Sequence, residues 1–92
     1  MYLFYFLEVL VAKKLFVGSL PWKLDDDSLK GTFEPFGIVV SARVVRDRDS
    51  GRSRGFGFVE MENESDADKA IQSLNEAEVN GRKILVKEAI AK

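Results

Sequence analysis

The chain has no cysteine and no histidine. Without cysteine there is no disulfide framework and no thiolate nucleophile. Without histidine the commonest general base, the usual activator of a nucleophile and a frequent zinc ligand are all missing. Carboxylate chemistry stays open in principle, but no oxyanion loop is evident, so no catalytic residue, metal or cofactor is expected. The missing cysteines fit a reducing compartment, and a cytoplasmic location is expected, with organellar stroma or matrix and the nucleus as alternatives. Long hydrophobic runs are also scarce. "MYLFYFLEVLVA" is shorter than the about 20 apolar residues of a spanning helix and carries Glu8. Its lysines follow the apolar stretch and no small-residue cleavage pattern appears, which argues against an ordinary secretory signal. No membrane partner is expected. A domain beginning at Val11 would look complete, so residues 1–12 read as an extra element packed on the domain or as a non-native extension.

Neither sign of charge dominates. Fourteen Lys and Arg stand against fifteen Asp and Glu, for a net charge of −1. A nucleic-acid binder is expected to be basic, so the sum counts mildly against one, but the distribution matters more and is uneven. Arg43, Arg46, Arg48, Arg52 and Arg54 fall within twelve residues, interrupted only by Asp47 and Asp49, whereas Glu60, Glu62, Glu64, Asp66 and Asp68 follow with no base among them. A local basic field beside an acidic segment can still hold a polyanion.

At 46% hydrophobic, 92 residues suffice for one domain with its own core. "KKLFVGSL", ending at Pro21, reads as a strand. "DDDSLKGTFEPFG" opens with carboxylates suited to a helix start, sets Leu29 and Phe33 on one helical face and ends at Pro35 and Gly37. "IVVSARVV" is a second strand, "RDRDSGRSR" a polar turn, and "GFGFVEM" a third strand. "SDADKAIQSL" spaces Ala67, Ala70, Ile71 and Leu74 as a helix does. Asn80-Gly81 is a turn and "KILVKEA" a last strand. The order β-α-β-β-α-β, with right-handed crossovers, predicts an α+β fold of the ferredoxin-like kind: a four-stranded antiparallel sheet with two helices on one face.

Helices on one face leave the other face bare, and strand alternation decides which side chains occupy it. Val59 and Met61 share parity with Gly55 and Gly57, while Phe56 and Phe58 share parity with Arg54 and Glu60. Charged side chains are almost never fully buried unpaired, so Phe56 and Phe58 are predicted on the bare face, and Phe16 joins them once Leu15 and Val17 turn inward. Gly55 and Gly57 then face inward, where they are expected to let a helix approach closely. Arg43 falls outward on the second strand, provided an irregularity lets Val39, Ala42 and Val44 all reach the core. Lys87 falls outward on the last strand, where Ile84 and Val86 turn in. Exposed rings ringed by Lys and Arg suit single-stranded nucleic acid, with bases stacked on the rings and cations on the phosphates.

These residues resemble the RNA-recognition motif family. Its octamer is similar to Arg54-Gly55-Phe56-Gly57-Phe58-Val59-Glu60-Met61, with Met61 in place of a terminal aromatic. Its hexamer is similar to Leu15-Phe16-Val17-Gly18-Ser19-Leu20, and the stretch from Gly81 to Ala89 is similar to its closing strand. The resemblance covers residues 14–90, the domain being set at 13–90, and is to single-domain proteins of the small bacterial and organellar type. It implies that Phe16 and Phe58 stack on successive bases, that Phe56 packs between sugars and that Arg54 pairs with phosphate. It further implies contacts from Lys87 to Ala89 and electrostatic support from Lys14, Arg43 and Arg52.

The implied partner is single-stranded RNA, with single-stranded DNA as a variant, and the implied role is that of an RNA chaperone or post-transcriptional regulator. A monomer is expected. The alternative is a protein-interaction module that buries the aromatic face, or dimerises through the apolar N-terminal segment. Asp25 to Asp27 read as helix capping rather than a metal site. For Arg54 the bland reading is an ion pair with Glu60 or Glu62. Trp22 reads equally as loop packing and as a base contact.

Overall fold

The computed structural model describes residues 13–89; the apolar segment 1–12 and the expectations attached to it lie outside that range. The elements are β1 (Lys13–Gly18), α1 (Asp26–Phe33), a 3-10 turn (Glu34–Phe36), β2 (Val39–Arg46), β3 (Ser53–Met61), α2 (Glu64–Leu74), β4 (Glu78–Val79), β5 (Arg82–Lys83) and β6 (Leu85–Glu88). Four strands form one sheet in the order β2-β3-β1-β6, and every neighbouring pair is antiparallel. This is the ferredoxin-like arrangement expected from the element order. The closing strand is shorter than "KILVKEA" suggests. Its first residue, Lys83, instead pairs with Glu78 in a separate hairpin, β4 with β5, around Asn80 (φ 49°) and Gly81 (φ 82°). Asn-Gly takes two successive left-handed conformations at low cost, which favours a tight two-residue turn.

Both helices cover the same face. Leu29 and Phe33 of α1, and Ala67 and Ala70 of α2, join Leu15, Val17, Val59, Met61 and Val86 in one buried cluster. Complete burial of a side chain such as Leu29 or Phe33 contributes about 1.5–3 kcal/mol. Helix α1 starts where Asp25 accepts a hydrogen bond from the Ser28 amide at 2.9 Å. That bond is the main reason the Asp25 carboxyl lies below its ordinary range. Asp26 does something else. Its carboxylate accepts the Val44 amide at 2.7 Å and so fastens the helix start to β2. Helix α2 is capped by Asn63, whose side chain accepts from the amides of Ser65 and Asp66. At its far end the Asn75 side-chain oxygen accepts the Val86 amide at 3.0 Å, tying the helix to β6.

The register of β2 against β3 shifts between Val39 and Ser41, and again between Val44 and Arg46. The first shift is the irregularity that lets Val39 and Val44 both be buried while Arg43 faces out. The glycines of β3 have different reasons from the one the sequence suggests. Gly57 is buried on the helix side, but an added Cβ there would collide with the Arg43 carbonyl oxygen and lie 3.0 Å from the Val44 Cα, both backbone atoms of β2. Close approach is therefore between strands and not between strand and helix. Gly55 has open space around it and instead adopts φ +84°, a conformation costly for residues with a Cβ. Its amide donates to the Ser53 hydroxyl at 3.0 Å, which accounts for the one buried polar side chain among the described residues.

Lys13, at the start of β1, gathers three carboxylates. Its ammonium lies 2.6 Å from Asp68, 3.5 Å from Glu88 and 3.7 Å from Glu64. It joins β1, α2 and β6 at one corner. Its side chain is only 12% exposed, whereas its partners are half exposed or more, so solvent screening keeps the cluster to about 1 kcal/mol or less. The hydrogen bond to Asp68 holds the Lys13 ammonium above the ordinary lysine range.

Two stability tests follow from this geometry. Gly57→Ala should cost about 1–3 kcal/mol, because backbone on both strands must move. Gly31→Ala, at an exposed site in α1 with nothing within 4 Å of an added Cβ, should stabilise by up to about 1 kcal/mol. Urea melts of the two variants should show opposite shifts. Lys13→Met should lose up to about 1 kcal/mol at neutral pH. A folded-state pKa raised above the unfolded value gives stability that is complete below the unfolded pKa and is lost as pH rises through the folded one. The difference between wild type and Lys13→Met should therefore persist through neutral pH and disappear only above the usual lysine range. A constant difference in strong alkali would assign the effect to packing alone.

Candidate nucleic-acid interface

The uncovered face of the sheet is organised in rows set by the pairing register. Arg43 of β2 lies opposite Phe58 of β3, Phe58 opposite Phe16 of β1, and Phe16 opposite Lys87 of β6. One line thus crosses all four strands as cation, ring, ring, cation. In the next row toward the start of β1, Ser41 faces Glu60 and Glu60 faces Lys14. On the other side, Phe56 faces Gly18 and Gly18 faces Leu85.

The three rings form one cluster. Phe16 and Phe56 have centroids 5.7 Å apart with planes tilted by 31°; Phe16 and Phe58 are 5.8 Å apart at 69°; Phe56 and Phe58 are 6.3 Å apart at 88°. The two pairs made by Phe58 fit the attraction of ring edges to ring faces, and the third lies nearer an offset stack. Gly18 makes the arrangement possible. An added Cβ at that position would meet the outer atoms of the Phe16 ring at 2.9 and 3.2 Å, so the ring lies over the backbone of Gly18 and reaches toward Phe56.

Each ring has its own cation. The Lys14 ammonium lies 5.2 Å from the Phe58 centroid, the Arg54 guanidinium 5.9 Å from Phe56, and the Lys87 ammonium 5.8 Å from Phe16. Arg54 forms no ion pair with Glu60 or Glu62 among the described residues; the ring takes its charge instead. Lys14, Ser41, Arg43, Phe58 and Glu60 line a depression of about 190 Å³. Within it the Ser41 hydroxyl donates to the Glu60 carboxylate at 3.3 Å.

The residues singled out in the sequence do not all converge here. Phe16, Phe56, Phe58, Lys14, Arg43, Arg54 and Lys87 do. Arg52 instead lines a separate cleft with Trp22, Arg46 and Ser53 at the end of the sheet. The Ala89 amide is already used, donating to the Lys14 carbonyl at 2.9 Å. Leu85, 48% exposed beside Gly18, belongs to the open face but escapes a sequence reading directed at rings and charges. Its parity with Lys87 was the available signal.

The description "RNA recognition motif" belongs to the family model that matches residues 15–85. The chain belongs to the RNA recognition motif family. It is 52% identical over 79 residues to the 29 kDa chloroplastic ribonucleoprotein of Arabidopsis thaliana, covering 86% of this chain and 23% of that protein. It is 51% identical over 76 residues to the mitochondrial glycine-rich RNA-binding protein 4 of the same plant, covering 83% of this chain and 56% of that protein. The chain thus spans from about a quarter to just over half of these relatives. Among solved structures it is similar to the RNA-binding protein PG1, with a TM-score of 0.84 and 49% identity, over 87% of this chain and 96% of that one. In this RNA recognition motif, Met61 is fully buried, so its departure from the family's aromatic concerns packing rather than the open face.

Gly18→Ala should move the Phe16 ring while leaving the fold nearly as stable, because the clashing atoms are the far end of one side chain. Proton–proton contacts between the rings of Phe16 and Phe56 in an NMR spectrum should weaken, with a smaller loss of stability than in Gly57→Ala. Unchanged ring contacts would show that Gly18 does not set the ring's position.

Proposed function

We propose that this domain binds single-stranded RNA on the open face of its sheet, without catalysing a reaction. The observation that carries this reading is the cluster of three outward rings, mutually within 6.3 Å, each with a cation within 6 Å. Unpaired bases stack on Phe16 and Phe58, the Phe56 ring packs against sugar, and the cations take phosphates. In the free protein the cations occupy the ring faces. A cation over an exposed ring contributes about 0.5–1 kcal/mol, and a stacked base about 1–3 kcal/mol. The base therefore wins the ring, and the cation moves only a short way to the phosphate that arrives with it. A paired base cannot make the same contact, because both its faces are stacked in a helix, which is why the site selects unpaired strands. Single-stranded DNA offers the same faces and phosphates, and binding to it is the natural corollary.

A domain that holds bases apart from their complements favours melted RNA, so the biological role proposed is that of an RNA chaperone or post-transcriptional regulator. The compartment proposed is the cytoplasm or an organellar stroma or matrix. The second is supported by relatives named as chloroplastic and mitochondrial.

The double variant Phe56→Ala with Phe58→Ala should lose at least about thirtyfold in affinity for an unstructured RNA, with its circular dichroism unchanged. Removing Lys14, Arg43, Arg54 and Lys87 one at a time should flatten the dependence of log affinity on log salt by about 0.7 for each phosphate left without its cation. Full affinity in the double variant would remove the reading.

A further inference from the structure

We infer that Trp22 forms a second nucleotide-binding position at the end of the sheet, where it takes an unpaired base that continues past the open face. The inference rests on the RNA-binding reading above and extends it to a site that shares no residue with the ring cluster.

Trp22 is the only tryptophan in the chain, and it is 64% exposed. It plays no part in the buried cluster, yet its loop is firmly held. Leu20 and Leu24, on either side, are buried. The Leu20 amide donates to the Gly55 carbonyl at 2.8 Å, and the Leu24 amide to the Pro21 carbonyl at 3.2 Å. The loop leaves β1 through Ser19 at φ 58°. A large apolar ring is thus kept in water by a loop anchored at both ends, an arrangement that core packing does not require.

The indole divides two clefts. On one side Trp22 meets Arg46, Arg52 and Ser53 around about 470 Å³. On the other it meets Pro21, Lys23, Asn80, Gly81 and Arg82 around about 520 Å³. Four cations therefore surround one exposed ring, and among the described residues none of them is in an ion pair. Arg82 donates from Nε to the Ser19 carbonyl at 3.2 Å. Arg46 reaches the Gly51 carbonyl only at 3.5 Å. The field of Arg46 reaches the Asp25 carboxylate, which the Ser28 amide already engages.

A protein partner for such a surface would need matching carboxylates on both sides of an apolar insert. A nucleotide supplies a flat apolar face and a negative phosphate in one unit. The strand also leads here. Arg54 lies over Phe56 on the open face, and Ser53 and Arg52, just before it, line the tryptophan cleft. Phosphates that leave Arg54 meet Arg52 next.

The tryptophan supplies its own readout. The full chain is titrated with an unstructured RNA trimer, long enough for the sheet, and with an octamer. The octamer should quench Trp22 fluorescence at saturation and bind more tightly than the trimer, which should leave the emission nearly unchanged. Trp22→Ala should lose about tenfold in affinity for the octamer and nothing for the trimer, while Trp22→Phe should recover part of the loss. Arg46→Gln with Arg52→Gln should weaken the octamer alone. Equal octamer affinity in wild type and Trp22→Ala would overturn the inference, and would leave the indole as a contact for a protein. Equal losses for both lengths would also overturn it, because the effect would then act through the sheet. These two outcomes leave binding on the sheet intact, whereas a wild-type chain that binds neither RNA would end both readings.

Discussion

Strand β3 is paired on both sides, with β1 and with β2, and its two-residue alternation governs everything the domain presents. Val59 and Met61 go under the helices, and Phe56 and Phe58 therefore cannot. A slip of one residue would bury Arg54 and Glu60 and push the core residues into water, a change that no local adjustment offsets. The register is further held by Gly57, which admits the β2 backbone at a distance that a side chain would forbid. The aromatic face is a consequence of burying the other face, so the core and the site are specified by the same strand.

The site is also built across strands. Phe16 reaches Phe56 because Gly18 leaves room for its ring, and Phe16 meets Phe58 because β1 and β3 are in register. Lys87 arrives from the other end of the chain, through the pairing of β6 with β1. That pairing is backed by Asn75, which accepts the Val86 amide, and by Lys13, which joins β1, α2 and β6 at a corner behind the face. Charges behave differently on the two sides of the sheet. Behind it, the single charge of Lys13 is engaged by three carboxylates. On the open face, the cations rest on rings that a stacked base can take from them, while their charge remains available to a phosphate.

The charge balance is informative for the same reason. A net charge of −1 suits a protein that does not attract nucleic acid over its whole surface. Glu62, Glu64, Asp66 and Asp68 lie along α2 and its approach, whereas Lys14, Arg43, Arg54 and Lys87 lie on the open face and Lys23, Arg46, Arg52 and Arg82 at the Trp22 end.

Much of this was legible in the sequence. Alternation in "GFGFVEM", combined with the rule that Arg54 and Glu60 cannot be buried unpaired, places the rings outward with no structure in hand. The order of elements yields the sheet and its covered face. What only the tertiary structure decided are relations between residues distant in sequence. Gly57 is a glycine because of β2, not because of a helix. Asp26 serves Val44 rather than its own helix end. Arg52 stands with Trp22 and not with the phenylalanines. The Ala89 amide is spent on Lys14. Local pattern determines which way each side chain points, because that depends on neighbours along one strand. Which side chains meet depends on register, bulges and loop anchors, and these are set by the packing of the whole domain.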